Sequence, residues 1–516
     1  MSAVRDLPAR PSLDSLRKQA KQLSRSAAVP LREAQLMIAR QYGFAGWPDL
    51  TAEVQKRLGR GLDWAAAQAK VAIHDRDHER LRALLAEFPA LVSWSGDGNQ
   101  TLLDATTSYA LDCSDPERER IYNRPEAAEI LIDAGATVPR STWEHVIRTR
   151  AAGMLRLLAL KNALPPTLPV LAALGADQAV RDAQETNEPI VIGRALLNAC
   201  RFNHTGIALR LLERAIALDS ALGHRIDRWQ GRQAFVEFLI GHAEWSVADN
   251  GGPETTLWEE FVVRQLKRAR DDNDLPAFRR WLDDESWVLQ PQFVQVQIGL
   301  IEGASFRDDR EPFIAALLDA DLALLHLKPP PRSSALAYAL DYGHAHVLPL
   351  LTRIWPLPDD LPHAAGTGNF AAVARWFDAA GQPALGSLAH HHPGSDPNFK
   401  AADLGWGPVT TQQVLDIALA WAVLNKHFEV ASFLLKHGAD INTNWATHEP
   451  ASILHEAAIQ SNEEAAKFLI DHGADLAIKD HRYQSTAEGW ARYAARNERM
   501  ADLLAAAAGR RSRENS

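Results

Sequence analysis

Cysteine is nearly missing: Cys113 and Cys200 are the two in 516 residues. Two cysteines cannot frame a chain of this length with disulfides, so the sequence predicts a reducing, cytoplasmic setting. No stretch approaches 18 uninterrupted apolar residues, so no membrane span is expected. The N-terminal run MSAVRDLPARPSLDSLRKQ lacks the apolar segment of a signal peptide. Positive charge is also short, with 55 Lys and Arg against 65 Asp and Glu, a net charge of −10. That balance argues against general binding to nucleic acid or an anionic membrane, both of which need a basic surface. Residues 1–40 are a local exception, with Arg5, Arg10, Arg17, Lys18, Lys21, Arg25, Arg32 and Arg40 outnumbering Asp6, Asp14 and Glu33. The reading adopted for them is a solvated helix face. Catalytic signatures are absent as well: there is no GxGxxG, GxxxxGK[ST], HExxH, GxSxG or CxxC.

What the sequence does contain is repetition. FLLKHGAD at 433–440 returns as FLIDHGAD at 468–475, thirty-five residues later. A period of that size belongs to stacked architectures, in which every unit presents the same face to its neighbour. In EVASFLLKHGAD, Val430, Phe433 and Leu434 form one apolar helical stripe. Gly438 suits the left-handed residue that ends a helix, and Asp440 suits the turn beyond it. ASILHEAAIQ at 451–460 then reads as the first helix of the next pair, its alanines allowing close approach. SNEEAAKFLI at 461–470 reads as the second.

The frame resembles the ankyrin repeat. Ser452-Ile453-Leu454-His455 stands where that family has T-P-L-H, Glu464–Ile470 at its second helix, and Gly473-Ala474-Asp475 at its exit. More worn copies stand upstream, with Gly343-His344, Gly368-Asn369 and Asn203-His204 at corners between helices. The pair formed by TLLDAT at 101–106 and RPEAAEILIDAGA at 124–136 is split by an insertion at 111–123. About ten units fit between residues 62 and 508. Residues 31–58, with Tyr42, Phe44 and Trp47, look like the leader module of some bacterial ankyrin-repeat proteins, expected to cover the apolar end of the stack. The predicted fold is an all-α, ankyrin-like solenoid of helix-turn-helix repeats. Its expected divisions are an N-terminal helical cap at 1–60, degenerate repeats at 61–310, and closer repeats at 311–510 with a long inserted loop at 382–410.

Three groups of residues are candidates for chemistry or binding. The loop AHHHPGSDPNFKAADLGWG, residues 389–407, holds His390, His391 and His392 with Asp396, Asp403 and Trp406. Three adjacent imidazoles do not converge on one ion, so no metal is assigned, and His391 and Trp406 are taken as binding residues. The exits at 441–450 and 476–485 offer Trp445, His448, Asp480, His481 and Tyr483, aromatic and polar anchors suited to a binding surface. Asp480 and Tyr483 also suit a purely structural role, bracing the next turn. His455 stands where the family has a structural histidine that ties adjacent loops, and His363 looks one place out of that register. Trp143, Trp281 and Trp376 suit core or wedge positions.

The expectation is a non-catalytic scaffold that binds a protein partner through its concave face and finger-like turns, with no cofactor and no nucleic acid. The alternative is an enzyme or small-molecule binder with a pocket on the concave face under the 382–410 loop.

Overall fold

The computed structural model describes residues 12–26, 29–57, 61–96, 99–107, 112–183, 188–243, 255–396, 408–445, 451–480 and 483–514. Their regular secondary structure is helical. They contain no strand, only isolated antiparallel bridges at Ser95–Thr101, Phe377–Pro383, Asn444–Ser452 and Lys479–Thr486. The chain divides into two compact units, Met1–Asp249 and Asn250–Ser516. That division precedes the boundary expected at residue 310. Helix Leu257–Asp271 packs on Val294–Ser305, which packs on Ala335–Asp341, so the worn repeats after 255 continue into the better-formed ones.

In the first unit, helices Leu13–Ser26, Leu31–Gln41 and Trp47–Arg57 enclose a small core of Leu16, Ala20, Ile38, Ala39, Leu50 and Val54. Tyr42, Phe44 and Trp47 pack on this core. A second core begins at Ala65 and runs to Ala173. These three N-terminal helices therefore have an interior of their own, and the rings expected to cover the stack pack on it instead. Helix pairs follow it in chain order. His78–Glu87 packs on Pro125–Asp133, which packs on Ala152–Leu160. The insertion contributes helix Pro116–Tyr122, whose Glu119 carboxylate accepts from the backbone of Gly153 and Met154 at 3.0 and 2.9 Å. It thereby caps the start of a helix in the next pair.

The second unit is two rows of helices. Leu257–Asp271, Val294–Ser305, Ala335–Asp341, Leu361–Gly366, Thr411–Leu424 and Ile453–Ile459 form the inner row. Leu275–Asp284, Glu311–Asp319, Leu348–Leu351, Phe370–Ala374, Phe428–Lys436 and Glu463–Asp471 form the outer row. Buried alanines line the inner seam, among them Ala418, Ala420, Ala422, Ala457 and Ala458. With only a methyl group at those positions, adjacent helices approach closely without leaving voids.

One corner geometry joins the rows. A single residue adopts positive φ, and the next residue's N–H returns to a carbonyl five positions back, closing the helix end. Gly343 and Gly368 do this, as do Arg76, Arg150, Asn203, Asn273, Lys426 and Ser461, whereas after the left-handed Arg496 the Asn497 N–H returns six positions, to Ala491. The returning bonds run, for example, from His344 to Ala339, His427 to Ala422 and Asn462 to Ala457, at 2.7 to 2.8 Å. The following residue often caps the second helix: Asp77, Asp274, Asn369 and Asn462 each accept from a backbone N–H three residues on.

The inner helices of the second unit also bond across the stack. Trp421 Nε1 donates to Asp341 at 2.6 Å, Asn425 Nδ2 donates to the Leu340 carbonyl at 2.8 Å, and Ala345 N donates to Asn425 Oδ1 at 2.9 Å. Gln460 Nε2 reaches the Asp341 carbonyl at 3.0 Å, joining residues 119 positions apart. The short helix Leu361–Gly366 lies beside this seam, with Gly366 close to both Leu340 and Trp421.

Candidate functional site

The segment after helix Val294–Ser305 and the last repeat line one cleft of about 930 Å³. Phe306 stands on one side, at the end of helix Val294–Ser305. Tyr483, Trp490 and Tyr493 stand on the other, in the last repeat. Tyr342 and Glu456 lie between them. Phe306 is locked edge-on against Tyr338 at 5.3 Å and packs against Tyr342 at 5.6 Å. Burial, with Glu302 next in effect, pushes the Tyr338 hydroxyl up to about 12, and burial also raises that of Tyr342. Both phenols therefore stay protonated at neutral pH. Tyr483 is 56% exposed and Tyr493 79% exposed, so this wall presents its rings to solvent. The rim is acidic, carrying Asp308 and Asp309 beside Arg307.

Asp480 sets the far wall. It is buried, and its carboxylate accepts from the backbone of Tyr483 and Ser485 and from Trp490 Nε1. The role is bracing, the structural alternative the sequence leaves open for this residue, and it positions two cleft rings without touching an occupant. His455 also supports Trp490, 5.2 Å from it ring to ring. Its Nδ1 faces Ser452 Oγ at 2.7 Å and its Nε2 faces the Ser485 carbonyl at 3.0 Å. It ties adjacent fingers, as the resemblance implies.

The predicted site residues divide. Tyr483 lines the cleft. Trp445, expected at a binding surface, is 1% exposed. Its neighbour Asn444 bridges to Ser452, and successive side chains of an extended segment point to opposite faces, so the indole turns inward. His391 is likewise buried: its Nδ1 accepts from Leu361 N at 3.1 Å, its Nε2 donates to the Leu385 carbonyl at 2.9 Å, and its ring meets Trp376 edge-on. Trp406, His448 and His481 lie outside the described residues. The described part of the inserted loop, 382–396, contributes nothing to the cleft lining, so the cleft is not the pocket expected beneath it.

That loop instead caps a helix. His392 N donates to Asp360 Oδ2 at 3.3 Å, and Asp360 caps Leu361–Gly366 by accepting from His363 N. His363 Nδ1 pairs with Asp360 Oδ1 at 2.9 Å, so His363 bears the same three-residue relation to its cap as His455 bears to Ser452, and the apparent register slip is absent. The His392 ring packs on Trp421, tilted by 31° with centroids 4.7 Å apart. Burial, and secondarily the charge on His363, pushes its imidazole down to about 3.

Sequence reasoning missed Phe306, Tyr342, Trp490 and Tyr493 because no local pattern joins residue 306 to residue 493. It also missed a cluster on the rim. Asp308 Oδ1 lies 3.8 Å from His344 Nδ1 and 3.5 Å from His346 Nε2. Burial lowers the His344 pKa, and the Phe306 backbone takes a hydrogen bond from its ring.

Residues 394–480 and 419–509 match the family described as ankyrin repeats (3 copies). No curated protein matches the chain. Among solved structures, the human ASB11 ankyrin repeat domain is similar at 17% identity, covering 46% of this chain and 96% of that one, with a TM-score of 0.18. The ankyrin repeat domain of Bcl-3, a member of the IkappaB protein family, is similar at 18% identity, covering 46% and 97%, with a TM-score of 0.19.

Proposed function

We propose that this chain, which carries ankyrin repeats over residues 394–509, is a non-catalytic scaffold that holds a protein partner in the cleft between Phe306 and Tyr493. The observation that carries this reading is the exposed aromatic wall of Tyr483 and Tyr493, facing Phe306 above an acidic rim. Aromatic rings on braced backbone supply contact area at little entropic cost. Carboxylates at Asp308, Asp309 and Glu456, in a chain of net charge −10, suit a partner segment that carries an apolar or aromatic anchor next to Lys or Arg. Backbone bracing by Asp480 preorganises the wall, so less freedom is lost when a partner docks.

The test compares wild-type chain with Tyr483→Ala/Tyr493→Ala as bait in lysate of the source cell at physiological salt. A protein recovered by wild type and identified by mass spectrometry is then titrated against both purified baits. A rise in Kd of tenfold or more in the double variant supports the cleft. Equal Kd values, or no protein retained above background, count against it. The cleft volume also favours a second reading, a small apolar ligand. Native mass spectrometry of freshly purified chain addresses that reading directly, by revealing or failing to reveal a bound species.

A further inference from the structure

We propose that Asp308, His344 and His346 form a binding site for a divalent transition-metal ion, with zinc as the best-fitting ion, at the rim of the aromatic cleft. Their ligand atoms, one carboxylate oxygen and two imidazole nitrogens, all lie within 4.8 Å of one another. The spacing is informative in comparison with other histidine–carboxylate pairs of the chain. His74–Asp75 and His326–Asp321 meet at 2.8 Å and His363–Asp360 at 2.9 Å, which are hydrogen-bond lengths. Asp308 instead stands 3.5 Å from His346 and 3.8 Å from His344, too far for a hydrogen bond. Two ligands that each sit about 2.0–2.1 Å from a tetrahedral zinc are separated by roughly 3.3 Å, so these gaps fit donors arranged around an ion better than donors bonded to each other.

The donors are also held unequally, as a metal site requires. The His344 side chain is largely enclosed, 15% exposed against 40% for His346 and 85% for Asp308, so its ring has the least freedom of the three donors. His346 and Asp308 are exposed, so their side chains can rotate to close on an ion. Neighbouring Asp309 is engaged by Arg310 and Asn273, which leaves Asp308 as the carboxylate that faces the histidines. Two nitrogens and one oxygen suit zinc and similar borderline ions, and three protein ligands leave a fourth position for water. Asp308 and His344 also line the cleft, so the ion would stand at its mouth.

The experiment uses full-length chain stripped with a chelator and titrated with Zn²⁺ by calorimetry, alongside His346→Ala, Asp308→Asn and the control His326→Ala. The three substituted side chains are exposed, so circular dichroism is expected to match wild type in every variant. The expected result is one Zn²⁺ per chain. Affinity falls tenfold or more in His346→Ala and in Asp308→Asn and is unchanged in His326→Ala. Substitution with Co²⁺ should give visible absorption bands that His346→Ala abolishes. Absence of one-to-one binding by wild type, or equal affinity in wild type and His346→Ala, overturns the proposal.

Discussion

Replacing His392 with Leu should remove most of one acid-sensitive contribution to stability. The imidazole is fully enclosed, packed against Trp421 and faced by His363 and Asp360, and it stays neutral down to about pH 3 against an ordinary value of 6.5. The unfolded chain takes up a proton at this residue as pH falls through about 6.5, while the folded chain does not until about 3. Protonation therefore favours the unfolded state across that interval, by about 1.4 kcal/mol per pH unit. The contribution of a neutral His392 is complete above pH 6.5 and declines as pH drops toward 3. Between about pH 7.5 and 5 the loss amounts to about 2 kcal/mol. Leucine has similar volume and no titrating group, and it retains the backbone N–H that donates to Asp360. His344, His427 and His455 are also shifted down by burial, but they are common to both proteins and cancel in the difference. Urea unfolding monitored by tryptophan fluorescence, at several pH values in this range, gives stability curves for wild type and His392→Leu. The two curves should converge as pH falls, with wild type losing about 2 kcal/mol more. Parallel curves would refute the reasoning, because they would mean that the folded protein protonates His392 as readily as the unfolded one.

Other outcomes follow from single contacts. Asp480→Ala strips an acceptor from three donors and should cost about 3 kcal/mol in urea unfolding, while also raising the Kd for any cleft partner. Gly343→Ala places a Cβ 2.8 Å from the Leu424 carbonyl at a φ of +73°, and should destabilise by about 2 kcal/mol or more. At another corner the sign reverses: Arg496→Gly relaxes a left-handed residue at φ 53° and should stabilise by about 1 kcal/mol, read as a rise in Tm. Tyr493→Ala, at a side chain mostly in solvent, should leave the urea midpoint within about 0.5 kcal/mol of wild type, which separates its binding role from folding.

The helix pairs were legible because their seams follow helical spacing and their exits repeat, as at FLLKHGAD and FLIDHGAD. The worn repeats were legible only in part. Reading corners by glycine finds Gly343 and Gly368, but the same left-handed turn is made by Arg76, Arg150 and Lys426. A non-glycine residue tolerates that conformation at a modest cost, which the returning backbone bond offsets, helped after Arg76 by the Asp77 cap. Burial in the fingers and in the inserted loop was not legible. A histidine run in a polar segment reads as surface, yet His391 and His392 fill the space above helix Leu361–Gly366, where that helix needs a partner for the Leu361 N–H. Composition marks Trp445 as a surface anchor, whereas the alternation of an extended backbone segment decides which way it faces. The cleft was invisible because its walls, Phe306 and Tyr493, are far apart in the chain and no local pattern joins them.

In an ordinary linear array each module touches only its immediate neighbours, so fraying can begin at a terminus and travel inward one module at a time. The bond from Gln460 to Asp341, with those from Asn425 and Trp421, removes that freedom here. Losing the C-terminal modules strips partners from a helix more than a hundred residues earlier, so the Asn250–Ser516 half should melt in one concerted transition, and a truncation there should be felt far upstream of the cut.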